Sequence, residues 1–265
     1  MDIQLLCKNC GHESNENFCS HCGQKRIGER WELKQLLRSA FTTLFNIEKG
    51  FFYTFRELFF HPGKVVHEYL GGRTIPYTNP FRYVVIAIAI SVFLMLSLGV
   101  WEFQVDYIIE GYKKFEVIDS EQGEADMRAN MKGVTRFMNI MPLLLLPFIA
   151  FAARLFLGKK RLHYAEYFIM VAYLTAQSTL YGILLTISVY LYPPLVTSMF
   201  VIGVLIATVV YGQAFRELFD KNWGESLALA LATYVVGFIF FFVFAFILGI
   251  ILGIILIAGA KLIKG

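Results

Sequence analysis

Residues 227–257 form a run of 31 positions without a charged side chain. As a helix rising 1.5 Å per residue, this run is roughly 46 Å long, against about 30 Å for the hydrocarbon core of a bilayer. A soluble domain has no core deep enough to bury such an element on all sides, so the run reads as a membrane span. It is too long for one upright span and too short for two. A strongly tilted or protruding helix is the first expectation. A re-entrant hairpin broken at Gly237, Gly249 or Gly253 is the alternative.

Four further apolar stretches precede it, and the expected fold class is an all-α integral membrane protein with about five transmembrane helices. The spans fall at about 83–101, 137–157, 164–192, 195–215 and 227–257. Composition agrees: 57% of residues are hydrophobic, 16% aromatic and 17% charged, and the mean hydropathy is +0.58. Aromatic residues flank the first span, as suits the headgroup level, and Pro142 and Pro147 are expected to kink the second. Pro193-Pro194 forces a turn between the third and fourth. Residues 102–136 read as a hydrophilic loop. The spacing Gly249-x3-Gly253 reads as close helix packing within the chain.

Basic residues set the expected orientation. Between Gly23 and Arg82 there are ten Lys/Arg and five acids, whereas residues 102–136 carry five basic and eight acidic side chains. Basic loops stay in the cytosol. The N-terminus, the Lys159-Lys160-Arg161 loop and residues 216–221 are therefore expected inside a cell inner (plasma) membrane. The first thirty residues show no cleavable signal pattern, so the first span is expected to act as its own insertion signal. A net charge of +4 is too small to point to nucleic acid.

Residues 1–24 form a separate module holding all four cysteines: Cys7-Lys8-Asn9-Cys10-Gly11 and Cys19-Ser20-His21-Cys22-Gly23. A paired C-x2-C with glycine after each pair is a zinc-ribbon pattern. The short chelate puts two thiolates on one side of a metal, and the glycine supplies the left-handed turn. Four thiolates close a tetrahedron and leave no open position, so the expected Zn2+ is structural. Disulfides are the competing reading, and a cytosolic location disfavours them. His12 and His21 read as exposed loop residues.

Residues 25–82 form a basic, amphipathic interfacial segment. Trp31, Leu33, Leu36, Leu37, Ala40, Phe41, Leu44 and Phe45 recur at near-helical spacing, and Phe51, Phe52, Phe55, Leu58 and Phe59 continue the pattern. Such helices lie in the headgroup plane or pack on the ends of spans, and membrane lipids are the expected partner. Polar groups collect at this boundary: His61, His67, Glu68, Arg73, Arg82, Arg154, His163 and Glu166. Three histidines and two carboxylates suit a second metal or an acid–base pair, and the arginines suit a phosphate headgroup. The competing reading has Arg82 and Arg154 snorkelling at helix ends and His67-Glu68 on a solvated face. Glu166, near the start of a span, needs a partner such as Arg154 or Arg161. Deeper positions offer only Thr175, Gln177, Ser178, Thr179 and Gln213, which argues against proton-coupled transport.

The run Phe18-Cys19-Ser20-His21-Cys22-Gly23-Gln24, followed by Pro62-Gly63, Tyr69-Leu70-Gly71-Gly72-Arg73, Tyr77 and Pro80, resembles a family of bacterial membrane proteins typical of the Bacteroidetes, a domain of unknown function. Tyr164-Ala165-Glu166-Tyr167 is a third point of likeness, with Tyr167 where relatives are expected to carry histidine. The resemblance implies a zinc ribbon ahead of several transmembrane helices, and no activity.

Three functions are expected from these features. The first is a non-enzymatic membrane protein whose ribbon docks a cytosolic partner in assembly, scaffolding or regulation. The second is a lipid or small-molecule carrier using the interfacial helices and arginines. The third is a membrane enzyme with a His/Glu site at the boundary.

Overall fold

The computed structural model describes residues 6–13, 17–24, 50–118, 120–135, 137, 140–158 and 162–264, with side chains described as far as residue 251. The amphipathic positions from Trp31 to Phe45, and the Lys159-Lys160-Arg161 loop, lie outside the described residues. The described chain is helical apart from one antiparallel bridge, Leu6 with Glu13, in the N-terminal module. Its helices are α1 (Gly50–Phe60), α2 (Pro62–Leu70), α3 (Pro80–Ser97), α4 (Val100–Lys114), α5 (Glu121–Thr135), α6 (Met141–Leu157), α7 (Tyr164–Leu191), α8 (Met199–Phe219) and α9 (Trp223–Lys264). A 3-10 turn at Pro193–Ser198 joins α7 to α8 where the two prolines stand.

Four segments are long and apolar enough to cross a membrane: α3, α7, the 3-10 turn with α8, and α9 from Trp223 to Ile251. The second expected span appears as the shorter apolar helix α6, of 17 residues. It starts at Met141, with Pro142 in its first turn, where a missing N–H costs nothing, and Pro147 inside it. The last stretch is one continuous helix of 42 residues. The hairpin alternative is therefore overturned.

Helix α7 is the hub. Every residue from Ala165 to Gln177 is buried, and α3, α6 and α8 pack along it. A helix apolar on all faces can be enclosed this way, and the apolar sides of its neighbours suffice to cover it. In lipid the hydrophobic effect does not drive helices together, so close approach and internal hydrogen bonds must. Both are present. A Cβ on Gly237 of α9 would lie 2.9 Å from Ile149 Cα of α6, and one on Gly212 of α8 would lie 2.7 Å from Leu227 Cδ2 of α9. Gly237, expected as a break, is instead where α9 and α6 touch. Gly249 has nothing within 4 Å of a Cβ, so its expected packing within the chain is not found.

Internal hydrogen bonds tie α7 to its surroundings. Tyr83 donates its hydroxyl to Gln177 Oε1 at 2.6 Å, and Gln177 Nε2 donates to the Phe55 carbonyl of α1 at 3.4 Å. Tyr173 donates to the Thr78 carbonyl at 2.6 Å. Thr175 and Tyr211 share a hydrogen bond of 2.7 Å between α7 and α8.

The expected hydrophilic loop at 102–136 is corrected. It holds α4 and α5, a charged pair of helices, after α3 stops at Ser97 and Gly99 turns the chain at φ +67. Val100, Val105 and Ile109 are the buried face of α4, and Val100 packs on Leu185 and Val189 of α7. Arg128 on α5 pairs with Asp106 at 2.7 Å and with Glu124 one turn back at 3.0 Å, and Lys113 also pairs with Glu124. Charges that neutralise one another at helical spacing stabilise a polar helix.

Gly237→Ala is expected to destabilise the bundle by about 1–3 kcal/mol through overpacking against Ile149. Gly249→Ala is expected to leave stability unchanged. Thermal unfolding of both variants in detergent micelles measures the contrast.

Candidate metal centre

The two cysteine pairs fold into matching knuckles. In the first, the Cys7 N–H donates to the His12 carbonyl and the Gly11 N–H to the Cys7 carbonyl, both at 2.8 Å. In the second, Cys19 N–H donates to the Gln24 carbonyl at 2.9 Å and Gly23 N–H to the Cys19 carbonyl at 2.8 Å. Gly11 and Gly23 both take φ +72, a conformation that side chains strain, which explains a glycine after each pair.

The knuckles face each other with their sulfurs inward. The Sγ atoms of Cys7, Cys10, Cys19 and Cys22 lie within 4.8 Å of one another, and the closest pairs cross between knuckles, Cys7–Cys22 at 3.6 Å and Cys10–Cys19 at 3.7 Å. A disulfide needs about 2.0 Å, so these are free thiols gathered about a common centre. They cannot all ionise side by side. The His12 backbone N–H lowers the Cys10 thiol, but desolvation and the three other sulfurs outweigh it and push it up to about 12. The Asn9 side chain, with further hydrogen bonds, brings Cys22 down to about 6. A cation at the centre removes that conflict, because it binds thiolates and releases their protons. The four sulfurs can therefore hold a metal ion. His12 and His21 are exposed, with their rings stacked at 5.4 Å.

The module rests on the connection between α2 and α3. Gln24 is buried, its Oε1 accepts the N–H groups of Thr74 and Ile75 at 3.2 Å each, and its Nε2 donates to Thr74 Oγ1 at 2.8 Å. The Lys8 side chain lies over Gly72, where a Cβ would sit 2.8 Å from Lys8 Cδ.

The same connection carries part of the expected polar boundary. Glu68 Oε2 accepts from Arg73 Nη1 at 2.9 Å and from the Tyr77 hydroxyl at 2.8 Å. Burial and that carboxylate push the Tyr77 pKa well above its ordinary value. The other boundary residues fall elsewhere. His61, His67 and His163 are exposed, and Arg154 is half-buried in the last turn of α6. His67 borders an apolar cleft of about 260 Å³ with Leu70, Gly71, Leu162, Leu218 and Phe219. Among the described residues, the four cysteines are the one group of His, Cys, Asp and Glu side chains placed to hold a metal. The three histidines are not gathered with Glu68 and Glu166.

Of the two arginines expected beside Glu166, Arg161 lies outside the described residues. The Glu166 carboxylate accepts the His163 backbone N–H at 2.6 Å, and the Glu166 N–H donates to the His163 carbonyl at 3.1 Å, which closes the start of α7. Arg82 does not snorkel to the surface but is buried in the first turn of α3.

Glu217, absent from the sequence-based set, performs a similar service between helices. From α8 its Oε2 accepts the Gly63 N–H at 2.8 Å and the Lys64 N–H at 3.4 Å, the open amides at the start of α2. A Cβ on Gly63 would lie 2.4 Å from Glu217 Cβ, so only glycine lets the two meet. Pro62 supplies the fixed φ of the first helical turn. The Pro62-Gly63 pair was the sequence signal; its partner, some 150 positions on, left none.

A family model described as "Protein of unknown function (DUF3667)" matches residues 48–92. That stretch takes in α1, α2, the connection under Gln24 and most of α3. It carries the resemblance drawn from Pro62-Gly63 to Pro80 and stops short of the cysteines. No curated protein and no solved structure matches the chain.

Glu217→Ala is expected to leave the Gly63 amide without its acceptor and to cost about 1–3 kcal/mol. Thermal unfolding gives the loss, and faster amide exchange confined to the first turn of α2 gives its location.

Proposed function

We propose that this chain is a non-enzymatic, multi-pass protein of the cell inner (plasma) membrane, with its N-terminus in the cytosol. There a structural Zn2+ holds the ribbon, and the ribbon docks a cytosolic partner in assembly, scaffolding or regulation. The observation that carries the reading is the sulfur geometry. Zn–S bonds of about 2.3 Å in a tetrahedron require sulfurs about 3.8 Å apart, close to the 3.6 and 3.7 Å of the two cross-knuckle pairs. Four thiolates leave no open position for a substrate, which favours a structural role. The exposed, stacked rings of His12 and His21, and Leu6 at 64% exposed, offer the ribbon a surface for a partner.

Metal analysis of the full chain is expected to give one zinc per chain, lost in Cys7→Ser. An impermeant thiol reagent is expected to leave Cys10 unlabelled in intact cells and to label it after lysis with a chelator. Labelling in intact cells would overturn the orientation. Proteins that co-purify with the intact chain are expected to be lost on ribbon deletion, and an unchanged set would count against the docking role.

A second reading, a lipid or small-molecule carrier, is favoured by one observation. Phe52 and Phe60 of α1 are 79% and 58% exposed, and the exposed side chains of Arg56 and Lys64 stand beside that aromatic face. Such a face suits a headgroup layer with anionic lipid. Arg73 is engaged by Glu68 and Arg82 is buried, whereas Arg56 and Lys64 share one carboxylate, Glu57, at 3.2 Å each and keep their side chains 67% and 50% exposed, which makes them the better-placed cations. Charge reversal at both is expected to weaken binding to anionic vesicles, and unchanged binding would remove this reading.

A further inference from the structure

We infer that the ribbon is a metal-dependent latch on the connection between α2 and α3, so that loss of the metal releases the lead-in to the first apolar helix. The inference deepens the proposed zinc reading and rests on it.

Both knuckles touch the same short stretch. Gln24 belongs to the second knuckle through its main chain, whose carbonyl receives the Cys19 N–H. Its side chain gives the stretch three hydrogen bonds, two of them to the main-chain amides of Thr74 and Ile75. From the first knuckle, Lys8 lies between Cys7 and Cys10 and covers Gly72, which sits at φ +98. Neither contact involves one of the four cysteines, yet Lys8 is held between two of them and Gln24 stands two places after Cys22. The geometry of both therefore depends on both knuckles being closed.

The ribbon supplies little else to keep them closed. Its described residues contain one β-bridge and one buried apolar side chain, that of Cys19. A module this small takes its folding energy from the ion. When the ion leaves, Gln24 has no fixed position from which to reach Thr74 and Ile75. Amide bonds of this kind then pass to water.

On its other side the connection is tied to the helix bundle. Arg73 is held by Glu68, Tyr77 by the same carboxylate, and the Thr78 carbonyl receives the Tyr173 hydroxyl from the centre of α7. The Thr78 N–H also donates to Thr54 Oγ1 of α1 at 2.8 Å. One segment of seven residues thus joins the metal module to α1, α2, α3 and α7. Metal occupancy is read at the place where these four helices meet.

The test uses the full chain in nanodiscs, with amide hydrogen exchange followed on peptides covering residues 72–77 and zinc measured on the same samples. Three states are compared: zinc-loaded, chelated, and zinc-loaded Gln24→Ala. Exchange at Thr74 and Ile75 is expected to quicken about tenfold or more in the chelated chain and in Gln24→Ala, while Gln24→Ala keeps one zinc. Unchanged exchange in Gln24→Ala overturns the contact. Unchanged exchange after removal of a zinc that was bound overturns the metal dependence and leaves the zinc reading standing. A zinc-supplemented chain that holds no zinc overturns the zinc reading itself, and the latch with it. Gln24→Glu, which keeps the acceptor for both amides, is expected to restore most of the protection that Gln24→Ala loses, and failure of that rescue also counts against the latch.

Discussion

Enclosing thirteen consecutive residues of α7 on every side imposes the condition that organises the rest of the bundle. A polar group there has no water to turn to, so each must find a partner inside or cost several kcal/mol. Thr175, Gln177 and Tyr173 meet this condition by reaching across to α8, to α3 and α1, and to the residue before Asn79, the N-cap of α3. The same bonds that satisfy buried oxygens therefore fix which neighbours surround α7 and at what height. Packing of small residues completes the work: Gly212 and Gly237 admit Leu227 and Ile149 at distances a methyl group would forbid.

The N-terminal module obeys the opposite rule. It has almost no apolar interior and gathers its order around four sulfurs. The chain thus joins a bundle held by enclosure to a module gathered around four sulfurs that can hold a metal ion, and residues 71–78 lie between them. They also fall within the match to residues 48–92. The pairs Pro62-Gly63 and Gly71-Gly72 have physical reasons there. One admits Glu217 to the start of α2, and the other turns the chain beneath Lys8.

What could be read from the sequence was what depends on neighbours along the chain. The cysteine spacing located the four sulfurs that can hold a metal ion, and the apolar runs located the candidate spans to within a few residues, because span length and chelate size are local properties. The charge density of residues 102–136 reads as a loop, whereas Arg128, Glu124 and Lys113 pair with one another across two helices. Glu166 caps α7 through the backbone N–H of the residue three places before it, a local pairing that a search for charged partners passes over. Gln24 and Glu217 were invisible for a different reason. Each works on amides 50 or more positions away, and no periodicity or spacing records such a pairing. The burial of Arg82 likewise depends on what surrounds α3, which a helix-end position does not reveal.

Among its described side chains, helix α9 is buried against α6 and α8 only over its first half. Phe241 is its last buried residue among those described, and Phe242, Phe246 and Ile250 each expose about half their surface or more. Phe244 still meets Phe148 of α6, ring centroids 5.3 Å apart; beyond it the described turns as far as Ile251 expose their side chains, which in a bilayer face acyl chains. Their inclination then follows the thickness of the surrounding lipid, steepening in a thick membrane and lying over in a thin one. The cost of that adjustment falls on turns that contribute nothing to the buried core. The bundle is in this way insulated from the lipid composition that its last helix must accommodate.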